Sequence, residues 1–219
     1  MEIKTFLNQY QLNLTDDLAQ CFAIDTCPKL VWGISGSGKT TLMLSRSAYY
    51  MVAHEYKPNE ILNLTMNKDA TKYCEKYFES TFEGLEKPKM IDIYSFAYNV
   101  LKKYMHFHQK PMRKAYKELT PIIARLCKDF FNLLISKEDA MTLMSEISQY
   151  RNAGSSKSTL VSSVEGVDLK LLCDEYAAMK ARKEVMDYDD IIWDCVSALQ
   201  SDSALLKELQ RQYRVIHVD

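Results

Sequence analysis

Gly33-Ile34-Ser35-Gly36-Ser37-Gly38-Lys39-Thr40 has the residue types and spacing of a complete phosphate-binding loop, G-x-x-x-x-G-K-[ST]. Glycines in such a loop let consecutive N–H groups turn inward as an anion nest, and a helix starting at its end adds a positive pole. Lys39 then reaches the β- and γ-phosphates of a nucleoside triphosphate, and the Thr40 hydroxyl is a ligand for Mg²⁺. The loop implies nucleotide binding. By itself it does not say what the phosphate energy is used for.

The motif needs a strand before it and a helix after it. Lys29–Trp32 is a short β-prone run, and Thr41–Arg46 continues with helical spacing. Strand-like apolar runs recur at Leu30–Gly33, Ile61–Thr65, Met90–Tyr94 and Tyr213–Val218. The first three are separated by helix-length stretches, including predicted helices over 67–82 and 95–104, which is the βαβ pattern of a parallel sheet. From Pro111 to Lys183 the pattern predicts helices only. Thr120-Pro121 reads as an N-cap with proline at the first helical position, and Ser136-Lys-Glu-Asp139 as a capping box. Residues 152–158, with Gly154 and several serines, read as the most flexible stretch. Residues 187–209 read as two helices returning to the sheet. The expected architecture is an incomplete parallel α/β domain, residues 1–105 and 186–219, with an all-helical subdomain, 106–185, inserted in it.

With 219 residues, 47% apolar and 26% charged, the chain has an ordinary globular balance. A net charge of −1 excludes a global basic field, so any polyanion must be met by a local patch. The six cysteines are scattered without a C-x-x-C pair, which argues against structural zinc and for reduced thiols. His106 and His108 read as polar positions at a helix end. The N-terminus lacks an apolar signal core and no run approaches a membrane span, so the expectation is a soluble, cytoplasmic protein with no membrane partner.

Four further segments, in order, resemble the N-terminal half of UvrD/Rep-type superfamily 1 DNA helicases. Ser45-Arg46-Ser-Ala-Tyr-Tyr50 after the loop is similar to "HRIAYL" in the family's "GSGKT…HRIAYL" helix. Ile61-Leu-Asn-Leu-Thr65-Met-Asn67-Lys68-Asp-Ala70 resembles "LTFTNKAA", one residue shorter. Asp92-Ile-Tyr94-Ser95-Phe96-Ala97 is similar to "TFHSFA", and Met186-Asp187-Tyr188-Asp189-Asp190-Ile191 to "LDFDDLL". The last of these leads to Arg214-Val-Ile-His-Val-Asp219, where the family has "ILVDE". Ile147–Gly154 resembles the "IS..KN.G" stretch of the family's subdomain 1B.

The resemblance implies a P-loop NTPase (RecA-like) domain 1A, with 1B as the insertion, and an ATP-dependent DNA helicase translocating 3′–5′ on single-stranded DNA. ATP and Mg²⁺ are the implied cofactors. Gly33 to Thr41 would hold the nucleotide. Lys39 and Asp219 would be catalytic, Thr40 and Asp219 would serve the metal, and Thr65, Asn67, Lys68, Tyr94 and Ser95 would contact single-stranded DNA. Tyr94 stands where the family usually has His, and Thr41 where it commonly has Arg. Gln20 matches the family's adenine-reading Gln over Gln20-Cys-Phe-Ala-Ile24 against "QREAV"; the other reading is an exposed helix residue. Asp189 and Asp190 read as helix-N-terminal charges, Phe96 as core, and the tyrosines of Tyr73–Tyr77 as a core-facing stripe.

Asp219 would be the first acid of the magnesium-and-water box, so the family's general base and second motor domain would lie beyond it. The expectation is a fragment, inactive alone, whose partner is that missing domain. Two other classes stay open from the residues: a non-catalytic nucleotide- or DNA-binding module, and a P-loop phosphotransferase.

Overall fold

A computed structural model describes residues 1–13, 20–22, 28–116, 119–153 and 160–219. In chain order the elements are α1 (Ile3–Gln9), a 3₁₀ turn (Gln20–Phe22), α2 (Lys39–His54), β1 (Ile61–Thr65), α3 (Lys68–Thr81), β2 (Lys89–Asp92) and α4 (Ile93–Phe107). They continue with β3 (Lys114–Ala115), α5 (Thr120–Phe131), α6 (Lys137–Asn152), α7 (Leu169–Arg182), β4 (Val185–Met186), α8 (Tyr188–Ser201), α9 (Ser203–Gln212) and β5 (Val215–Val218). The chain divides into two compact units, Met1–Val100 with Val196–Asp219, and Leu101–Cys195.

The first unit is built on a parallel three-stranded sheet ordered β2-β1-β5. Every residue of β1 is buried, as a strand flanked on both edges and covered by helices must be. Its register aligns Thr65 with Asp92 on one side and Leu64 with Val218 on the other. The carboxyl ends of all three strands therefore share one edge. Helix α2 contributes Leu44, Ala48 and Tyr49 to an aromatic core with Phe6, Phe22, Phe78 and Phe82. The Phe6 ring lies 5.2 Å from Tyr49 edge-on and 6.2 Å from Phe82 in a stack. Helix α3 starts where Asn67 Oδ1 accepts the Ala70 N–H at 2.9 Å.

The second unit packs α5, α6 and α7 around Ile123, Leu143, Ile147, Leu172 and Tyr176. The predicted capping box at Ser136 is present: its hydroxyl accepts the Asp139 N–H at 3.0 Å, while Asp139 accepts the Ser136 N–H at 3.1 Å. A buried ionic cluster closes the unit. Lys180, with 5% of its side chain exposed, donates to Asp187 at 2.5 Å and to Asp190 at 2.6 Å. Arg151 reaches Asp190 at 2.7 Å and Asp187 at 3.3 Å, and the Tyr176 hydroxyl donates to Asp187 at 3.0 Å. The Asp187 N–H also donates to the Asp190 carboxylate, and the Asp190 N–H to the Asp187 carboxylate, across the start of α8. Burial pushes the Asp190 carboxyl up, but the hydrogen bonds from Lys180 and the Asp187 N–H, with the Lys180 and Arg151 charges, hold it below the usual carboxylate range.

Several expectations are corrected. Lys29–Trp32 forms no strand: Leu30 is 87% and Trp32 91% exposed, and the run faces β5 across a cleft instead of pairing with it. A β-prone sequence becomes a strand only when a neighbour takes its N–H and C=O groups. The inserted block is not all-helical, since Lys114–Ala115 pairs in parallel with Val185–Met186. Helix α5 already includes Thr120, so its N-cap is Leu119 without a side-chain bond. Along α3 the core-facing stripe is Cys74 and Phe78; Tyr73 is exposed and Tyr77 half-buried. Gly154, the serines after it and Cys27 lie outside the described residues.

The ionic cluster balances two cations against two anions, so losing one cation leaves a buried carboxylate underpaired. Lys180→Met is expected to destabilise the second unit by about 3–5 kcal/mol, read from urea unfolding. An exposed control, Lys170→Met, should change stability by less than about 0.5 kcal/mol.

Candidate functional site

The phosphate loop runs from Gly33 into α2, whose N-cap is Gly38 at φ 84°, a left-handed conformation that glycine adopts without strain. At Gly33 a Cβ would lie 2.6 Å from Ser37 Oγ, so a larger residue there would have to displace the Ser37 hydroxyl. The Ser37 N–H donates to the Ile34 carbonyl at 3.3 Å, closing the turn. Lys39 folds its ammonium back over the loop and donates to the Gly33 carbonyl at 2.9 Å and the Ile34 carbonyl at 2.7 Å. Both acceptors are neutral. A phosphate oxygen is the stronger acceptor, because charge-assisted bonds are roughly twice as strong as neutral ones, so the ammonium can pass from loop to ligand.

Thr40 Oγ1 donates to Asp219 Oδ2 at 2.8 Å, joining residues 179 apart in sequence. Asp219 reaches that position because its N–H donates to the Leu64 carbonyl at 2.9 Å, extending the β1–β5 ladder by one bond. Its side chain is exposed. A hydroxyl and a carboxylate oxygen are hard ligands of the kind Mg²⁺ takes together with phosphate oxygens and water. Among the described residues no group of three or more His, Cys, Asp or Glu could hold a metal alone. The donor set at Thr40 and Asp219 therefore suits a metal shared with a phosphate.

Beside the loop lies a cleft of about 560 Å³, with Lys29, Lys39 and Arg46 among its walls and Asp219 at its edge. Thr41 is half-buried on the first turn of α2. Gln20 is exposed and opens a 3₁₀ turn.

The two segments matched to single-strand contacts meet at the carboxyl edge of the sheet, since Thr65 and Asp92 are register partners. Thr65 is 1% exposed, and its hydroxyl contacts Thr71 Oγ1 at 2.6 Å and the Asn67 carbonyl at 3.2 Å, so it shapes the turn. Asn67 and Lys68 are exposed beyond it; Tyr94 and Ser95 are half-buried in the first turn of α4. Asp92, not singled out from sequence, accepts the Ser95 N–H at 2.9 Å; an acid at the end of a β-run, three residues before Ser95, was its signal. Phe96 is half-buried, 6.2 Å from the Tyr213 ring.

Sequence reasoning also missed a polar cluster under the loop helix. Ser47 Oγ lies 2.9 Å from Asn63 Oδ1 and 3.1 Å from His217 Nδ1, and His217 Nδ1 lies 3.0 Å from Asn63 Oδ1. Asn63 and His217 each interrupt an apolar run, and Ser47 follows Ser45 and Arg46. Burial, helped by the Arg46 charge, lowers the His217 imidazole to about 4.

A profile of the UvrD/REP helicase N-terminal domain matches residues 14–219. The chain belongs to the UvrD/REP helicase family. Among curated relatives, the ATP-dependent DNA helicase PcrA of Bacillus subtilis (strain 168) is 23% identical over 201 residues, covering 88% of this chain and 27% of PcrA. The chain thus spans about a quarter of that relative's length. Among the described residues no helix is long and apolar enough to cross a membrane.

His217 gives this family member a pH dependence. Its imidazole protonates near 6.5 when exposed but only near 4 in the fold, so between these values the unfolded state binds more protons. Stability is complete above pH 6.5 and falls as pH drops toward 4, by about 3 kcal/mol in all. Urea unfolding at pH 7.5 and 5 should show the loss in wild type and a flatter profile in His217→Leu.

Proposed function

We propose that this chain is the nucleotide-binding part, domain 1A with subdomain 1B, of an ATP-dependent DNA helicase that moves 3′–5′ along single-stranded DNA. The observation that carries the reading is the 2.8 Å contact between Thr40 of a complete phosphate loop and Asp219 at the end of β5. A hydroxyl at a helix start and a carboxylate at a neighbouring strand end are the two protein ligands, direct or through water, that a nucleotide-bound Mg²⁺ uses.

The geometry supports the following roles. The Gly33–Thr41 backbone cradles the phosphates, and Lys39 leaves the loop carbonyls for the β- and γ-phosphates. Thr40 and Asp219 would hold a Mg²⁺ ion, which would supply positive charge against the phosphates. DNA would cross the carboxyl edge of the sheet, where loops after parallel strands commonly bind ligands. Lys68 would pair a phosphate there, Asn67 and Ser95 would bond the backbone, Tyr94 would stack a base, and Thr65 would keep the turn in shape. Sharing one edge lets a change at the nucleotide reach the strand through β1. In a chain that also carries a second motor domain, hydrolysis would drive translocation and strand separation. DNA repair and a cytoplasmic location fit that reading.

Calorimetric titration with ATP tests the nucleotide site. Lys39→Ala should weaken ATP–Mg²⁺ binding roughly ten- to a hundredfold, the loss of a charge-assisted contact. Asp219→Asn should remove most of the gain that Mg²⁺ brings while leaving metal-free binding intact. Equal binding by all three proteins would mean that the loop is not the site.

Fluorescence anisotropy tests the DNA edge. Lys68→Ala should weaken single-strand binding for all sequences and lower the salt slope by about one. Tyr94→Ala should cost about 1–3 kcal/mol at every salt concentration. A preference for duplex would place the strand elsewhere.

A further inference from the structure

We propose that Ser47, Asn63 and His217 are positioning residues that set the Thr40–Asp219 contact. The proposal deepens the nucleotide reading and rests on it for its functional consequence.

The two contacts tie the same pair of elements together. Ser47 follows Thr40 by nearly two turns of α2, roughly 20° short of two revolutions, so both side chains leave one face of the helix about 10 Å apart along its axis. His217 and Asp219 are alternate residues of β5 and leave one face of the strand. Thr40 meets Asp219 at the upper end. Ser47 meets His217 at the lower end, and His217 is the register partner of Asn63 on β1. One contact alone would let α2 roll and slide over the sheet; two contacts fix both its rotation and its rise.

The polar groups are poorly explained by stability. Ser47 and Asn63 are 0% exposed and His217 9%, in a layer otherwise made of Leu42, Leu44, Ala48 and Ile61. Asn63 Nδ2 and His217 Nε2 are buried without a hydrogen-bond partner. A carbonyl oxygen only accepts, so the 3.0 Å contact assigns the ring proton to Nδ1 and leaves Nε2 as a bare acceptor. A half-satisfied buried network costs more than an apolar core of the same shape. What it supplies is direction. Apolar side chains tolerate repacking within a fixed volume, whereas hydrogen bonds hold partners at defined distances and angles. Buried polar groups that set register act in this way.

The geometry also separates this cluster from the chemistry. None of the three residues is in the loop, and none contacts Lys39, Thr40 or Asp219 directly. Their effect would reach the metal site only through the placement of α2 on β5.

The test uses Ser47→Ala, which removes one hydroxyl, and the apolar triple variant Ser47→Ala/Asn63→Leu/His217→Leu. The triple variant is expected to be at least as resistant to urea as wild type at pH 7.5. In crystals of either variant the Thr40 Oγ1–Asp219 Oδ2 separation should exceed hydrogen-bond reach, about 3.5 Å. The ratio of ADP affinities with Mg²⁺ and with EDTA should fall roughly three- to tenfold, with the EDTA value unchanged within about twofold. A retained 2.8 Å contact in both variants overturns the proposal. So does a parallel loss of affinity with and without Mg²⁺, the mark of general damage. Should wild type itself gain nothing from Mg²⁺, the nucleotide–metal reading fails, and the crystallographic separation still decides the positioning claim.

Discussion

The site depends on the double pairing of β1. With both of its edges taken, that strand fixes the register of β2 and β5, and so the height at which each ends. Asp219 stands opposite Thr40 only because its N–H continues the ladder to Leu64. Asp92 stands beside Thr65 for the same reason. A one-residue slip of β5 would turn His217 and Asp219 away from α2 and bring Ile216 and Val218 under it. Burial of Asn63 and His217 on the paired strands makes that slip costly in both directions, since polar groups would be exchanged for apolar ones on each face.

The two units solve the problem of buried charge and polarity in different ways. In the helical unit Lys180, Arg151, Asp187 and Asp190 form a closed set in which each carboxylate has two cationic partners, and Tyr176 and backbone N–H groups add further bonds. Beneath the phosphate loop the Ser47 cluster is left partly unsatisfied. The first arrangement suits a joint between three helices and a short parallel ladder. The second suits a place where orientation matters more than cohesion.

Local signals were readable where a local cause sufficed. The helix after the glycine-rich loop and the Ser136 box each depend on residues within one turn, and each is present as read. The parallel sheet followed from alternation of apolar runs and helical stretches. What could not be read depended on partners distant in sequence. Lys29–Trp32 has strand composition but no strand beside it. Lys114–Ala115 gains its ladder from residues some seventy positions on, too short a pair to leave a periodic trace. Ser47, Asn63 and His217 lie in three separate segments, and only the fold brings them within 3.1 Å of one another. The family resemblance supplied what spacing alone lacked, the link between Asp219 and the loop.

The outer edge of β5 carries a practical consequence. Among the described residues β5 pairs on one side only, and Ile216 and Val218 are exposed on it, with Leu30 and Val31 across the neighbouring cleft. Such an edge is a template for any extended chain, including another copy of itself. A net charge of −1 offers almost no repulsion to keep copies apart. The unpaired backbone groups and the exposed Ile216 and Val218 side chains of that edge are therefore expected to limit the concentration at which this polypeptide stays dispersed.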